Sequence, residues 1–167
     1  MSGAARRRFD RRQLACVPTI ERVTIERMDH VGIVVDDLPA AVEFFVQLGL
    51  HHHGEASVEG SWVDRIVALD GVRAEVAMLQ TPDGHSRVEL AKFHAPPSPE
   101  VDRSAPANAP GIRHLTFAVA DLDAVIQRLE ALGAELVGEL VRYEDIYRLC
   151  YVRGPDGIIV ELAERID

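Results

Sequence analysis

The feature that most constrains this chain is that it resembles itself. At an offset of 84 residues, His30 aligns with His114, Val35 with Val119, Asp37 with Asp121 and Leu38 with Leu122. Leu48-Gly49 then falls on Leu132-Gly133, and Gly54-Glu55 on Gly138-Glu139, without a gap. Each copy closes on a second shared signature. Pro82-Asp83-Gly84 leads to Val88-Glu89-Leu90-Ala91, and Pro155-Asp156-Gly157 leads to Val160-Glu161-Leu162-Ala163. The offset there has dropped to 73 and 72, so the second copy is about 11 residues shorter inside. Such a repeat implies two copies of one supersecondary unit.

The two units span residues 26–94 and 111–166. Residues 95–110 hold five of the nine prolines and read as an extended linker that cannot pair in a sheet. Within each unit, Val31–Val35 and Leu115–Val119 read as buried strands. Leu38, Ala41, Val42, Phe45 and Leu48, and in the second copy Leu122, Val125, Ile126, Leu129 and Leu132, recur at helical spacing. Asp37 and Asp121 stand where they would cap these helices, and Gly49 and Gly133 where a left-handed residue would end them. Strands follow. Val72, Ala74, Val76 and Met78 alternate with Arg73, Glu75 and Ala77, the period of a half-buried strand. Tyr147–Val152 is strand-like, and each Pro-Asp-Gly triplet predicts a turn before the last strand (Arg87–Lys92; Ile158–Ala163). The fold class expected is α+β, two βαβββ modules making an open, cupped mixed β-sheet with helices outside.

At 167 residues with 47% hydrophobic content, the chain suits one globular domain. No G-x-G-x-x-G or P-loop pattern occurs, and no apolar run has membrane-helix length. Net charge is −9. Residues 1–22 carry six arginines against Asp10 and Glu21, so the acidic excess lies in the rest of the chain. An acidic body disfavours nucleic acid as a partner. Residues 1–25 read as a disordered Arg-rich leader. Cys16 and Cys150 lack disulfide-framework or C-x-x-C spacing and read as thiols of a cytoplasmic protein.

Most residues kept between the copies are apolar, Gly or Asp, and the fold explains them. His30/His114 and Glu89/Glu161 are not explained that way. A lone strand-start histidine is usually structural and a lone strand glutamate usually solvated. Four such residues at repeat-equivalent positions point instead to a divalent ion, such as Zn, Ni, Co, Mn or Fe, whose charge two carboxylates would neutralise. His51-His52-His53 is a poor chelate, because neighbours on a strand face opposite ways. His85 and His94 read as solvated loop residues. Trp62, Arg65, Met78, Tyr143, Tyr147 and Arg148 are candidates to line the cup.

Met28-Asp29-His30-Val31-Gly32-Ile33-Val34-Val35-Asp36-Asp37-Leu38, the Phe44-Phe45…Leu48-Gly49-Leu50 helix end, and Arg153-Gly154-Pro155-Asp156-Gly157-Ile158-Ile159-Val160-Glu161-Leu162 resemble the vicinal-oxygen-chelate superfamily. That superfamily includes glyoxalase I, methylmalonyl-CoA epimerase, extradiol dioxygenases, fosfomycin-resistance enzymes and bleomycin-resistance proteins. The resemblance implies metal ligands at His30, Glu89, His114 and Glu161. A carboxylate at Glu89 is unlike the two-histidine, one-carboxylate set of the dioxygenases, and an intact set is unlike the bleomycin-binding members. The set is closest to glyoxalase I and the epimerase. The function implied is a metal-dependent lyase or isomerase that abstracts a proton next to a carbonyl of a small molecule, a thiol adduct or thioester among them, through an enediolate. Glu161 is the first expectation for the base and Glu89 the second. A catechol dioxygenase and a small-molecule binding or antibiotic-resistance protein are the alternatives. A homodimer is the default assembly, with ligands drawn from one chain or from two.

Overall fold

A computed structural model of the chain describes residues 25–166. The Arg-rich leader and Cys16 lie outside the described residues. The first module runs β1 (Val31–Val34), α1 (Leu38–Leu48), β2 (His51–Glu59), α2 (Ser61–Val67), β3 (Arg73–Gln80) and β4 (Arg87–Ala95). The second runs β5 (Leu115–Val119), α3 (Leu122–Glu130), β6 (Glu135–Leu136), β7 (Val141–Tyr143), β8 (Tyr147–Arg153) and β9 (Ile159–Arg165). A single 3-10 turn at Pro155–Gly157 precedes β9. Helix α2 and the turn after it account for the residues that the second copy lacks. No strand or helix occupies residues 96–114.

The strands form two open mixed sheets, ordered β1-β4-β3-β2 and β5-β9-β8-β6, with β7 added to β8. In each, the first strand pairs in parallel with the last, and the last pairs antiparallel with the strand before it. The helix boundaries follow from local chemistry. Asp37 accepts from the Ala40 amide at 3.1 Å and Asp121 from the Ala124 amide at 2.9 Å. Gly49, at φ 121°, ends α1 by donating to the carbonyls of Phe45 and Val46.

One core unites the modules. It contains Phe44, Phe45 and Leu48 of α1, Leu122 and Leu129 of α3, and Ala77, Leu79, Leu90, Val160 and Leu162 of the strands. The Phe45 and Phe117 rings meet edge to face across the two modules, with centroids 6.3 Å apart. Ala77 and Leu79 are the fully buried residues, while Val76 and Met78 are half-buried on the opposite face. Helix α1 covers the odd-numbered side of β3, whereas on the even-numbered side Val63 of α2 packs with Val72, Ala74 and Phe93 in a smaller cluster and leaves Val76 and Met78 half-buried. Sequence alternation identified the strand and not which apolar side the helix would cover. Among the described residues, no helix is long and apolar enough to cross a membrane.

Candidate metal centre

The open faces of the two sheets carry the repeat-equivalent histidines and glutamates. In the first module, Gly32 of β1 lies beside Glu89 of β4, and Met78 of β3 lies on the other side of Glu89. Residues paired in register point to the same side of a sheet. A Cβ added at Gly32 would sit 3.9 Å from Glu89 Oε1, so the carboxylate lies over the bare glycine. His30 stands two residues before Gly32, immediately ahead of β1. Its Nδ1 is 3.1 Å from Asp29 Oδ2. Asp29 also receives Arg27 and Arg87. The Arg27 hydrogen bond, followed by that of His30, pulls its pKa down to about 2.

In the second module, Thr116 of β5 and Tyr151 of β8 flank Glu161 of β9 in the same way. Here one of the two touches it. The Thr116 hydroxyl donates to Glu161 Oε2 at 2.7 Å. His114 Nε2 is 3.5 Å from the same oxygen. The Tyr151 ring lies against His114, with centroids 4.9 Å apart. Burial, then the Glu161 charge, raises the Tyr151 pKa, so the phenol stays protonated.

The structure therefore brings His114 and Glu161 into contact and sets Glu89 at the matching place in the other sheet. It does not gather the four. Among the described residues, no three His, Cys, Asp or Glu side chains form a group able to hold a metal ion. The His114–Glu161 pair offers one imidazole nitrogen and one carboxylate, a donor set that suits a borderline divalent ion but fills only part of its coordination sphere.

The sequence model of the Glyoxalase/Bleomycin resistance protein/Dioxygenase superfamily matches residues 27–162. The chain belongs to this superfamily. A glyoxalase family protein from Bacillus cereus is 48% identical, over 87% of this chain and 98% of that one, with a TM-score of 0.84. A 2-epi-5-epi-valiolone epimerase from an Actinomyces species is 33% identical over 116 residues, 66% of this chain and 61% of the epimerase. A mutant of the fosfomycin resistance protein FosX from Listeria monocytogenes, solved with Mn(II) and 1S,2S-dihydroxypropylphosphonic acid, is 15% identical over 83% of this chain and 89% of FosX, with a TM-score of 0.53. That last likeness is one of fold.

Several other candidates take different places in this superfamily member. Arg148 lies on the helix side of β8, held by Asp123 at 2.7 Å and Glu164 at 2.9 Å. It braces α3 against the sheet rather than lining the cup. His94 belongs to β4, not to a loop, and contacts Glu75 at 2.9 Å; the strand runs three residues past the expected Lys92. His85 lies in a loop, and its amide donates to Asp83. The His51–His53 run opens β2, where a register shift falls between His52 and Gly54, and His52 contacts Glu55 at 3.4 Å.

Sequence reasoning missed three features. The first is Thr116, although the repeat alignment sets it against Gly32. The second is Asp156, which accepts the Asp36 amide at 2.8 Å and contacts Arg103, tying the second module's turn to the end of β1 and to the linker. The third is a cavity of about 420 Å³ lined by Val34, Leu69, Phe93, Pro97, Val101 and Arg103. Val34 and Phe93 share the strand parity of Gly32 and Glu89, so the cavity opens on the face that carries Glu89. Only the fold joins the linker to that face.

Proposed function

We propose that this protein is a metal-dependent isomerase or lyase of the glyoxalase type, moving a proton next to a carbonyl of a small molecule. The observation that carries the reading is the pair of His–Glu sets at repeat-equivalent positions on the open faces of two similar sheets. His30, Glu89, His114 and Glu161 would hold the ion, one of Zn, Ni, Co, Mn or Fe. Because one chain offers its ligands as two separate pairs, the reading includes a homodimer in which the first module of one copy faces the second module of another. The half-exposed state of His30 and His114 supports this.

A divalent ion in this place supplies Lewis acidity to the oxygens of a bound carbonyl compound. The chain's own residues do the rest. A glutamate carboxylate takes the proton from the carbon next to the carbonyl and returns it to the neighbouring carbon or to the opposite face. The second carboxylate at Glu89 favours proton transfer over catechol oxygenation, and the epimerase relative fits that choice.

The test combines elemental analysis of the purified protein with proton exchange in deuterated water. The hemithioacetal of methylglyoxal with a thiol, and a branched acyl thioester, serve as probes. The expected result is one ion per four-ligand set, its loss in His30→Ala and in His114→Ala, and deuterium at the carbon next to the carbonyl. A protein that holds no divalent ion, or that consumes O₂ with a catechol instead, ends this reading.

A further inference from the structure

We propose that the substrate is a compact, uncharged carbonyl compound whose polar groups are hydroxyls, and not one that carries an anionic tail. This names the substrate class within the functional reading above and rests on that reading.

The size and lining of one pocket carry the first part. It lies on the open face of the second module and encloses about 320 Å³. Val137, Val141 and Leu149 give it apolar walls, and Tyr151, Glu139 and Glu161 give it polar ones. Ligand pockets range from about 300 to 1,000 Å³, so this one suits a compact body and not a nucleotide-sized one. It holds two carboxylates and no basic side chain.

The placement of the arginines carries the second part. Residues paired in register share a face, so Ala163 and Leu149 stand in the row after Glu161, and Ala91 and Val76 in the row after Glu89. These rows are apolar. Arg87, two residues before Glu89, is bound to Asp29. Arg153, in the row before Glu161, donates to the carbonyls of Arg103 and Ala105 at 2.9 and 3.0 Å. Arg103 of the linker is itself held by Asp36 and Asp156. Lys92 pairs with Glu75 on the helix side of its sheet, and Arg148 lies on the helix side of the other. Arg165 shares the face of Glu161 but stands four residues further along β9, roughly 13 Å away. That exceeds the screening length of about 8–10 Å at ordinary ionic strength. An anionic tail in the pocket would therefore meet Glu139 and Glu161 without a nearby cation to offset them. A hydroxyl meets acceptors in the same carboxylates and a donor in the Tyr151 phenol, which burial and then the Glu161 charge keep protonated. A divalent ion held by both glutamates balances their charge and leaves Glu139 on the pocket wall, so the preference weakens on metal loading and keeps its sign.

The experiment follows deuterium exchange on three hemithioacetals of methylglyoxal: with 2-mercaptoethanol, which is neutral, with 3-mercaptopropionate, which carries one negative charge, and with glutathione, which is larger and anionic. Binding is read apart from turnover by ligand-observed NMR with 2-(methylthio)ethanol and 3-(methylthio)propionate, the same two tails without a carbonyl. The neutral member is expected to lead in both readouts, by about fivefold at low salt, the size of one unit-charge repulsion at ~4 Å in water. Added salt should narrow the gap. Val141→Lys, at a half-exposed position on the pocket wall, should raise the anionic members about fivefold relative to the neutral one. If Val141→Lys does not fold, Glu139→Gln in the neighbouring loop should narrow the same ratio. Anionic or glutathione adducts that exchange as fast as the neutral one, or a ratio that neither variant moves, overturn this inference and leave the functional reading standing. A protein that exchanges none of the adducts ends the functional reading, and the two thioethers then still decide which charge the pocket accepts.

Discussion

The two modules share strand order, helix caps and the placement of a histidine and a glutamate, yet they surround those residues differently. In the second, Glu161 is hydrogen-bonded to Thr116 and backed by a tyrosine whose ring lies on His114. In the first, Glu89 stands between a glycine and a methionine, on a face that opens into an apolar cavity under the proline-rich linker. A duplicated scaffold keeps what folding requires at equivalent positions and is free to differ elsewhere. Here the difference falls on the residues registered beside the two glutamates, Gly32 and Met78 in one sheet and Thr116 and Tyr151 in the other.

The strongest challenge to this comparison is whether the modules are separate objects at all. Phe45 is fully buried and meets Phe117 of the other module. Phe45→Ala should therefore destabilise both modules together, by about 3–5 kcal/mol, a typical range for an aromatic deletion in a packed core. The chain carries its own reporters. Trp62 lies on α2 of the first module, and Cys150 is buried in β8 of the second. In a Cys16→Ser background, tryptophan fluorescence and Cys150 thiol reactivity should give coincident urea transitions, at the same lowered midpoint in Phe45→Ala. Two separated transitions would show that the modules unfold independently and that the shared core is weaker than its burial implies.

A narrower probe is Gly154, just before the Pro-Asp-Gly turn of the second module. A Cβ there would come within 2.6 Å of the Phe44 ring on α1. Phe44 is fully buried and cannot move aside cheaply. Gly154→Ala should cost about 1–3 kcal/mol, read as a shift in the denaturant midpoint with an unchanged slope. A neutral result would mean that α1 and this turn are less tightly apposed than described.

Gly154, Asp156 and the linker also show where the sequence stops being legible. The βαβββ repeat and both helix caps could be read from residue types and spacing, because each depends on neighbours within a strand or turn. The repeat alignment even held the Gly32–Thr116 difference. What the sequence did not yield depends on contacts between distant segments. Helix α2 is about two turns long with a single buried residue, Val63, too short for a periodic signal. The covered side of β3 is set by where α1 docks, since Ala74, Val76, Ala77, Met78 and Leu79 are all apolar. The role of Arg148 needed the positions of Asp123 and Glu164, 25 and 16 residues away in the chain. The cavity needed the linker's path.

The smallest expected effect concerns the residues just before the two histidines, Asp29 and Arg113, which carry opposite charges. Asp29 contacts His30, whereas Arg113 donates to the Ala105 carbonyl of the linker at 2.9 Å and does not serve His114. The Asp29 carboxyl is held down to about 2 from an ordinary 3.8, chiefly by its hydrogen bond from Arg27 and then by His30. A carboxyl whose folded-state pKa is depressed adds stability above its unfolded value and loses it as pH falls through the folded one. The contribution of Asp29 is thus complete above pH 3.8 and fades toward pH 2. Asp29→Asn should lower the melting temperature slightly at neutral pH and low salt, with a gap that narrows as pH drops from 3.8 toward 2. Added salt should narrow it too, because the partners are exposed. If the gap persists unchanged toward pH 2, Asp29 supports the first module through shape rather than charge, and His30 is oriented by something other than this carboxylate.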